Sequence, residues 1–538
     1  MAHVEGGVAE TAFKILEETE ISLGQVRALS IHGAAALGNF KKPSQLLVVL
    51  GGSYPFKVRR RRKPPKIDLM IFVGERELLG DCSEEELGGA VAGAFLLPYV
   101  PVIAVDLLEK VDVIYKRHVI IEALQNLILE HKLASTRLLI SPEFFLFDKL
   151  KRLSAVYPLI RPYIEASFGE GLESFLSNSL RGFNKALDLL VEEGIVIRKG
   201  DGYSPSDGFV REVLSKKSIY TKFSEELEHV FRLYLNAGLS SPLDSIKDLG
   251  LDLRMLKPVK IPEPSERIRI ETSLGPQPLF VDLGIKQFIE MAYGVKQNEI
   301  ELKRVAGVLN SAYVAKFKVD GRDFKIFVKK YLDWTDFKWF AAWLWAIGVK
   351  NFSLFASIRM SNEIYFVNKL LDLGFNAAEI LHVNWPRKIL FQKFIEGKNL
   401  VNVLTSGQDP IDLEEKSRKV GELLGRLHRN GISMGDCNPF NVIFSDSGEI
   451  YLVDLEQCSY DRSFSWDLAE ILFYTCHYLN ADLAERFGCS LIEGYLKEGQ
   501  VDDVIEAMDL KYSRIFLPLT PPWIQARVRD AILRKIKS

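Results

Sequence analysis

Residues 427–457 read LHRNGISMGDCNPFNVIFSDSGEIYLVDLEQ, and the C-terminal half of the chain is organised around them. Asp436 is followed five positions later by Asn441, on a loop leaving a helix that ends near His428. NVIF, a turn at Ser445-Asp446-Ser447-Gly448 and IYLVD then form a hairpin. The hairpin returns the chain so that Asp454, at the strand end, faces the same cleft as Asn441. Phosphoryl transfer needs a carboxylate near the attacking hydroxyl and oxygen ligands for the metal that bridges the phosphates. Asp436 suits the first role. Asn441 and Asp454 suit the second, with Mg²⁺ or Mn²⁺ as hard cations that accept such oxygens. Each residue alone is an ordinary turn former; their order and spacing carry the chemistry.

Upstream, YVAKFKVDGRDFKIFVKKY reads as two strands around a turn at Asp320-Gly321 and ends in Lys329-Lys330. A lysine here holds the α- and β-phosphates and is oriented by a glutamate of the next helix. Lys329 follows Val328, which reads as buried, and is the first choice, with Lys330 as the alternative. RMSNEIYFVNKLLDLGF supplies Glu363 on a helix whose apolar face is Ile364, Val367, Leu370 and Leu371. Residues 391–400, FQKFIEGKNL, fit the segment joining two lobes, where Lys393 and Ile395 would meet the adenine edge of ATP.

From about 303 to 480 the chain resembles the RIO kinases and the small archaeal and eukaryotic kinase associated with tRNA threonylcarbamoylation. The matching features are Lys329, Arg359 and Glu363, Gly374, Ile395-Glu396-Gly397, LHRNGI, GDCNPFN, YLVDLEQ and Trp466-Asp467. The resemblance implies a bilobal protein-kinase-like fold and an ATP-dependent serine/threonine protein kinase, whose substrate is a protein, including possible transfer to itself. It also implies that Asp467 is a buried helix aspartate steadying the catalytic loop.

The departures are specific. No GxGxxG precedes Lys329, so Gly307, Ser311 and nearby amides must cover the phosphates. The usual His-Arg-Asp reads Met434-Gly435-Asp436, and Asn438 stands where many protein kinases carry a lysine. The usual Asp-Phe-Gly reads Asp454-Leu455-Glu456, without the permissive glycine. Trp466 follows Asp454 by only twelve positions, leaving little room for a peptide platform. Aminoglycoside-type and lipopolysaccharide-core sugar kinases share such motifs, so a small-molecule hydroxyl is the alternative acceptor. Residues 334–349, WTDFKWFAAWLWAIGV, hold four of the seven tryptophans and read as a helix packed on the N-lobe or a docking surface.

In the N-terminal half, VRALSIHG, QLLVVL, KIDLMIFV and PVIAVDLL read as buried strands. Residues 30–50, SIHGAAALGNFKKPSQLLVVL, resemble the signature of minimal nucleotidyltransferases, whose glycine turn precedes a strand with two metal-binding aspartates. Gln45 and Leu47 occupy those positions, and Asp68 alone cannot hold two metals. A degenerate, non-catalytic domain retained for binding or scaffolding is expected, with an unrelated α/β domain carrying an incidental glycine turn as the alternative. KVRRRRKPPK makes Arg59, Arg60, Arg61 and Arg62 a positive cluster able to contact RNA or simply a solvated hairpin tip. NSLRGFNKALDLLVEEGIVIRKGDGYSPS reads as a helix followed by a hairpin, like a winged helix. Its acidic residues favour packing over nucleic-acid contact. An RNA-binding adaptor with an ATP-gated kinase half is the third reading.

The 538 residues exceed one core and suggest about three or four domains. The fold class expected is α+β multidomain. A nucleotidyltransferase-like domain (1–115) precedes a helical, winged-helix-like region (116–256), a linker with a lead-in helix (257–300) and a kinase-like domain (301–538). Net charge −2 excludes a globally basic nucleic-acid binder. Five cysteines without a CxxC pair suit a reducing cytoplasm and do not support zinc. The longest apolar runs fall short of the roughly 18 residues a membrane span requires.

Overall fold

The computed structural model describes residues 2–216, 258–305, 311–332, 353, 355–406 and 409–537. Gly307 and the tryptophan-rich stretch 334–349 lie outside the described residues. The chain forms two compact units: Met1–Glu130 with Leu138–Arg269, and His131–Arg137 with Ile270–Ser538.

The first unit contains a five-stranded sheet in the order Lys57–Arg60, Ile67–Gly74, Ser44–Leu50, Val26–Gly33, Tyr99–Ile103. Ser44–Leu50 and Ile67–Gly74 pair in parallel, and the other pairs are antiparallel. Leu29, Ile31, Leu46, Val48 and Met70 pack against Val8, Ala12 and Ile15 of the helix Ala2–Glu17. The expected PVIAVDLL strand stops at Ile103; the helix Val105–His131 takes over immediately. Gln45 and Leu47 are buried, and Asp68 is half-buried.

The helix Leu172–Glu192 precedes the antiparallel strands Val196–Lys199 and Gly202–Pro205. Phe175, Phe183 and Leu187 bury its apolar face, and Lys185 is engaged with Glu109 at 2.7 Å.

The basic cluster needs a correction. Arg59 and Arg62 are exposed and Arg60 is half-buried, but Arg61 turns inward and is only 8% exposed. Its guanidinium bonds both Glu18 carboxylate oxygens at 2.9 and 2.7 Å and the carbonyls of Lys63, Pro64 and Pro65. A planar fork of donors satisfied on all sides is a structural tie and has nothing left for a phosphate.

In the second unit, five antiparallel strands run in the order Glu301–Val305, Ser311–Val319, Arg322–Lys330, Ile389–Lys393, Ile380–Asn384. The lead-in helix Ile285–Tyr293 places Phe288 and Ile289 in a core with Phe317, Ile326, Val328 and Phe391. A second sheet joins Asn376–Ala377, Ile450–Leu452, Val442–Ser445 and Gly397–Asn399. The helices Pro410–Arg429 and Ala481–Tyr495 pack together at Gly421 and Gly494, where an added Cβ would strike the backbone of Leu491 or Arg418. That close crossing fixes the helix from which the loop bearing Asp436 departs.

Candidate active site

Side chains alternate along the strand Arg322–Lys330, so Val328 enters the core and Lys329 faces the opposite side of the sheet. Lys329 is buried and Lys330 exposed. The Lys329 ammonium meets Glu363 Oε2 at 2.7 Å, Glu456 Oε2 at 2.9 Å and the carboxylate of Asp454. Burial alone would push its pKa down, but Asp454, Glu363 and Glu456 together raise it well above the usual lysine range.

Glu363 sits on the helix Ala356–Asp372 and also accepts from Gln392 Nε2 at 3.2 Å and from the Tyr331 hydroxyl. Glu456 was absent from the expected site. Its second oxygen accepts from Arg359 at 3.1 Å, and Arg359, fully buried, donates to the Leu332 carbonyl at 2.7 Å. The Asp-Leu-Glu departure is therefore a polar anchor beneath the lysine. The only signal for it in the chain was a charged residue where glycine is usual.

The hairpin brings Asn441 and Asp454 together. Val442 pairs with Leu452, and the register continues as Val453 N–H donates to the Asn441 carbonyl at 3.0 Å. Asp454 has φ 58° and ψ 53°, a left-handed conformation unusual for a side-chain-bearing residue and maintained by its surroundings. Asn441 donates its amide to the Asp436 carbonyl at 3.0 Å, which leaves its side-chain oxygen free of that bond. Burial raises the Asp454 carboxyl to about 7, against the opposing pull of Lys329. Asp436 is half-buried and accepts from Asn438 Nδ2 at 2.8 Å. Burial raises its pKa, and the Asn438 bond works the other way. Glu363, Asp454 and Glu456 place carboxylate oxygens within 4.8 Å of one another. These three carboxylates converge on the Lys329 ammonium, which offsets their mutual repulsion.

The catalytic loop hangs from the helix Phe464–Cys476. Asp467 accepts from the Met434 and Gly435 amides at 2.6 and 2.8 Å and faces His428 Nε2 at 3.1 Å. Glu470, which sequence reading missed, accepts from the Cys437 amide at 2.8 Å. Trp466 Nε1 donates to the Gly435 carbonyl at 3.0 Å.

Other expected residues are placed less centrally. Ser311 begins its strand half-buried, opposite Lys330. The Lys393 amide is taken by the Glu379 carbonyl at 2.9 Å and its ammonium by Glu379 at 3.2 Å, so this amide is not open to an adenine edge. Ile395 is half-buried just beyond it. On the outer side of the loop, Phe440 is 40% exposed, edge-on to Tyr474 and Tyr478 at 6.0 and 5.8 Å.

Residues 319–495 match the family model for the lipopolysaccharide kinase (Kdo/WaaP) family. Among individual proteins, the chain is 35% identical over 94 residues to a probable serine/threonine-protein kinase BUD32 homolog of Archaeoglobus fulgidus, covering 17% of this chain and 48% of that protein. It is 27% identical over 106 residues to the KEOPS complex subunit Bud32 of Pyrococcus abyssi, covering 19% and 46%. Against the 3-deoxy-D-manno-octulosonic acid kinase of Vibrio cholerae it is 22% identical over 139 residues, covering 24% and 53%. The chain spans about half the length of these curated relatives. Among the described residues, no helix is long and apolar enough to cross a membrane.

Proposed function

We propose that residues 301–538 form an ATP-dependent phosphotransferase that delivers the γ-phosphate to a hydroxyl, with a protein serine or threonine as acceptor. The observation that carries this reading is the Lys329 ammonium held by Glu363 at 2.7 Å while also engaging Asp454. That geometry joins the strand, the helix and the post-loop carboxylate, as phosphoryl transfer requires. Lys329 binds the phosphates. Asn441 and Asp454 would hold Mg²⁺ or Mn²⁺, which would neutralise phosphate charge. Asp436, steadied by Asn438, orients the acceptor hydroxyl and takes its proton. Ser311 borders the phosphates and Ile395 the adenine.

A second reading, a small-molecule hydroxyl acceptor, is favoured by one feature. The segment after Asp454 folds back on the catalytic loop: Ser433 and Ser459 form an antiparallel bridge, and Ser433 Oγ donates to Asp461 at 2.7 Å. A segment committed to the loop offers no free strand edge to a peptide. The rings of Phe440, Tyr474 and Tyr478 then serve as a wall for the acceptor.

Residues 1–115 are read as a nucleotidyltransferase-like scaffold without catalytic carboxylates, and the winged-helix-like hairpin as a packing module. Arg59, Arg60 and Arg62 remain candidates for RNA contact.

The test is incubation with γ-labelled ATP and Mg²⁺ or Mn²⁺, alone and with cell extract, for wild type, Asp436→Ala and Asp454→Ala. Label on serine or threonine that both variants lose supports the first reading. Label on a small molecule supports the second. Full transfer by Asp436→Ala overturns the assignment of the base.

A further inference from the structure

The helix that carries Glu363 is held on two faces. Glu363 points at Lys329. Ser361 lies two residues earlier, about 200° around the helix, and therefore faces away from it. Ser361 is fully buried, and its hydroxyl accepts from the Ala134 amide at 2.9 Å and donates to the His131 carbonyl at 2.8 Å. At the last turn of the same helix, Asp372 pairs with Arg137. A carboxylate opposes the helix dipole at that end, and the guanidinium offsets it.

The same segment also grips the sheet. The buried His131 ring packs edge-on against Trp385, with centroids 4.5 Å apart, and against Phe280 at 5.8 Å. Trp385 sits in the turn between the strands Ile380–Asn384 and Ile389–Lys393, and the latter pairs with the Lys329 strand. The Arg137 carbonyl accepts from the Glu271 amide at 3.0 Å. Lys132 adopts φ 52°, a conformation a side chain disfavours and only surrounding contacts maintain. Seven residues, distant in sequence from both, thus join the helix bearing Glu363 to the sheet bearing Lys329.

We propose that His131–Arg137 is a built-in clamp on the helix Ala356–Asp372, with Ser361 and Arg137 as positioning residues for the Lys329–Glu363 pair. The inference rests on Lys329 and Glu363 being the phosphate-binding pair. In kinases of this architecture the lysine–glutamate pair must be in place before transfer occurs, and helix position controls it. Here the covalent chain supplies that control.

The full-length chain is tested as Ser361→Ala, Arg137→Asp, Asp372→Arg and the Arg137→Asp/Asp372→Arg pair. ATP affinity is measured by calorimetry, turnover by ATP consumption, and folding by thermal melting. Ser361→Ala is expected to weaken ATP binding or turnover by about tenfold and the single charge variants by a few-fold, while the swapped pair recovers part of the loss, since Arg137 also faces Glu271 at 4.0 Å. Wild-type ATP binding and turnover in Ser361→Ala and Arg137→Asp would overturn the clamp. So would a swapped pair no better than either single variant. Lys329→Met separates the two levels: wild-type ATP binding and turnover in that variant would remove the phosphotransferase reading itself.

Discussion

Asp467 and Glu470, one turn apart on a single helix, divide the backbone amides of the catalytic loop between them: Met434 and Gly435 go to Asp467, and Cys437 goes to Glu470. Asp436 lies between these held amides, so its placement depends on two carboxyl groups rather than one.

Glu470 should tolerate substitution by its amide. Burial, with the neighbouring charges of Asp436 and Asp467, raises Glu470 well above the usual carboxylate range. Glu470→Gln keeps a carbonyl acceptor and is expected to melt near wild type. Glu470→Ala leaves the Cys437 amide without its side-chain acceptor and should cost about 1–3 kcal/mol, read by denaturant unfolding, with a parallel loss of turnover.

Glu456 and Arg359 make a second prediction. Arg359 is fully buried, and Glu456→Ala strips it of a charged partner. Breaking a buried pair from one side costs about 3–5 kcal/mol. Unfolding of Glu456→Ala should show a loss of that size, whereas Lys330→Ala, on the exposed face of the strand, should be nearly neutral.

Acid should destabilise the chain through its buried histidines. His32 bonds Ser30 and Ala94 at 2.8 and 2.9 Å, and burial lowers its pKa to about 3; burial does the same to His131. Both are neutral when folded and gain a proton near pH 6.5 when unfolded. Stability is therefore complete above about pH 6.5 and falls as pH drops from there toward 3, by up to about 1.4 kcal/mol per pH unit for each group. Melting across this range should show the slope, and His32→Gln should make it shallower.

Phe440 provides a test of the acceptor. If its exposed ring walls the acceptor site, Phe440→Ala raises the acceptor KM severalfold and leaves the ATP KM unchanged. An equal effect on both would place the ring in support of the loop instead.

Arg61 and its neighbours should separate cleanly. Arg61→Ala is expected to lower the melting temperature, because it breaks the Glu18 pair and exposes three carbonyl acceptors. Arg59→Glu with Arg62→Glu should melt like wild type and, if the strand tip meets RNA, abolish retention of RNA in a filter assay.

Local order in the chain was enough to read much of the centre. The five-residue step from Asp436 to Asn441 and the alternating hairpin after it are short-range facts, and hydrogen bonding of neighbouring strands sets where Asp454 ends. Strand alternation also favoured Lys329 beside an inward Val328, and the helix period put Glu363 on a core-facing element.

Burial and long-range pairing were not legible. A run of four arginines looks uniform until one of them, Arg61, finds Glu18 forty-three residues away. Glu456 and Glu470 resemble surface charges until the fold withdraws them from water and each must be paired. Ser361 meets His131 across 230 residues of chain. The sequence by itself determined which chemical groups a hairpin and a helix could present at the cleft. Tertiary structure alone decided which charges are buried and what holds them, because the cost of desolvating a group depends on neighbours that only folding supplies.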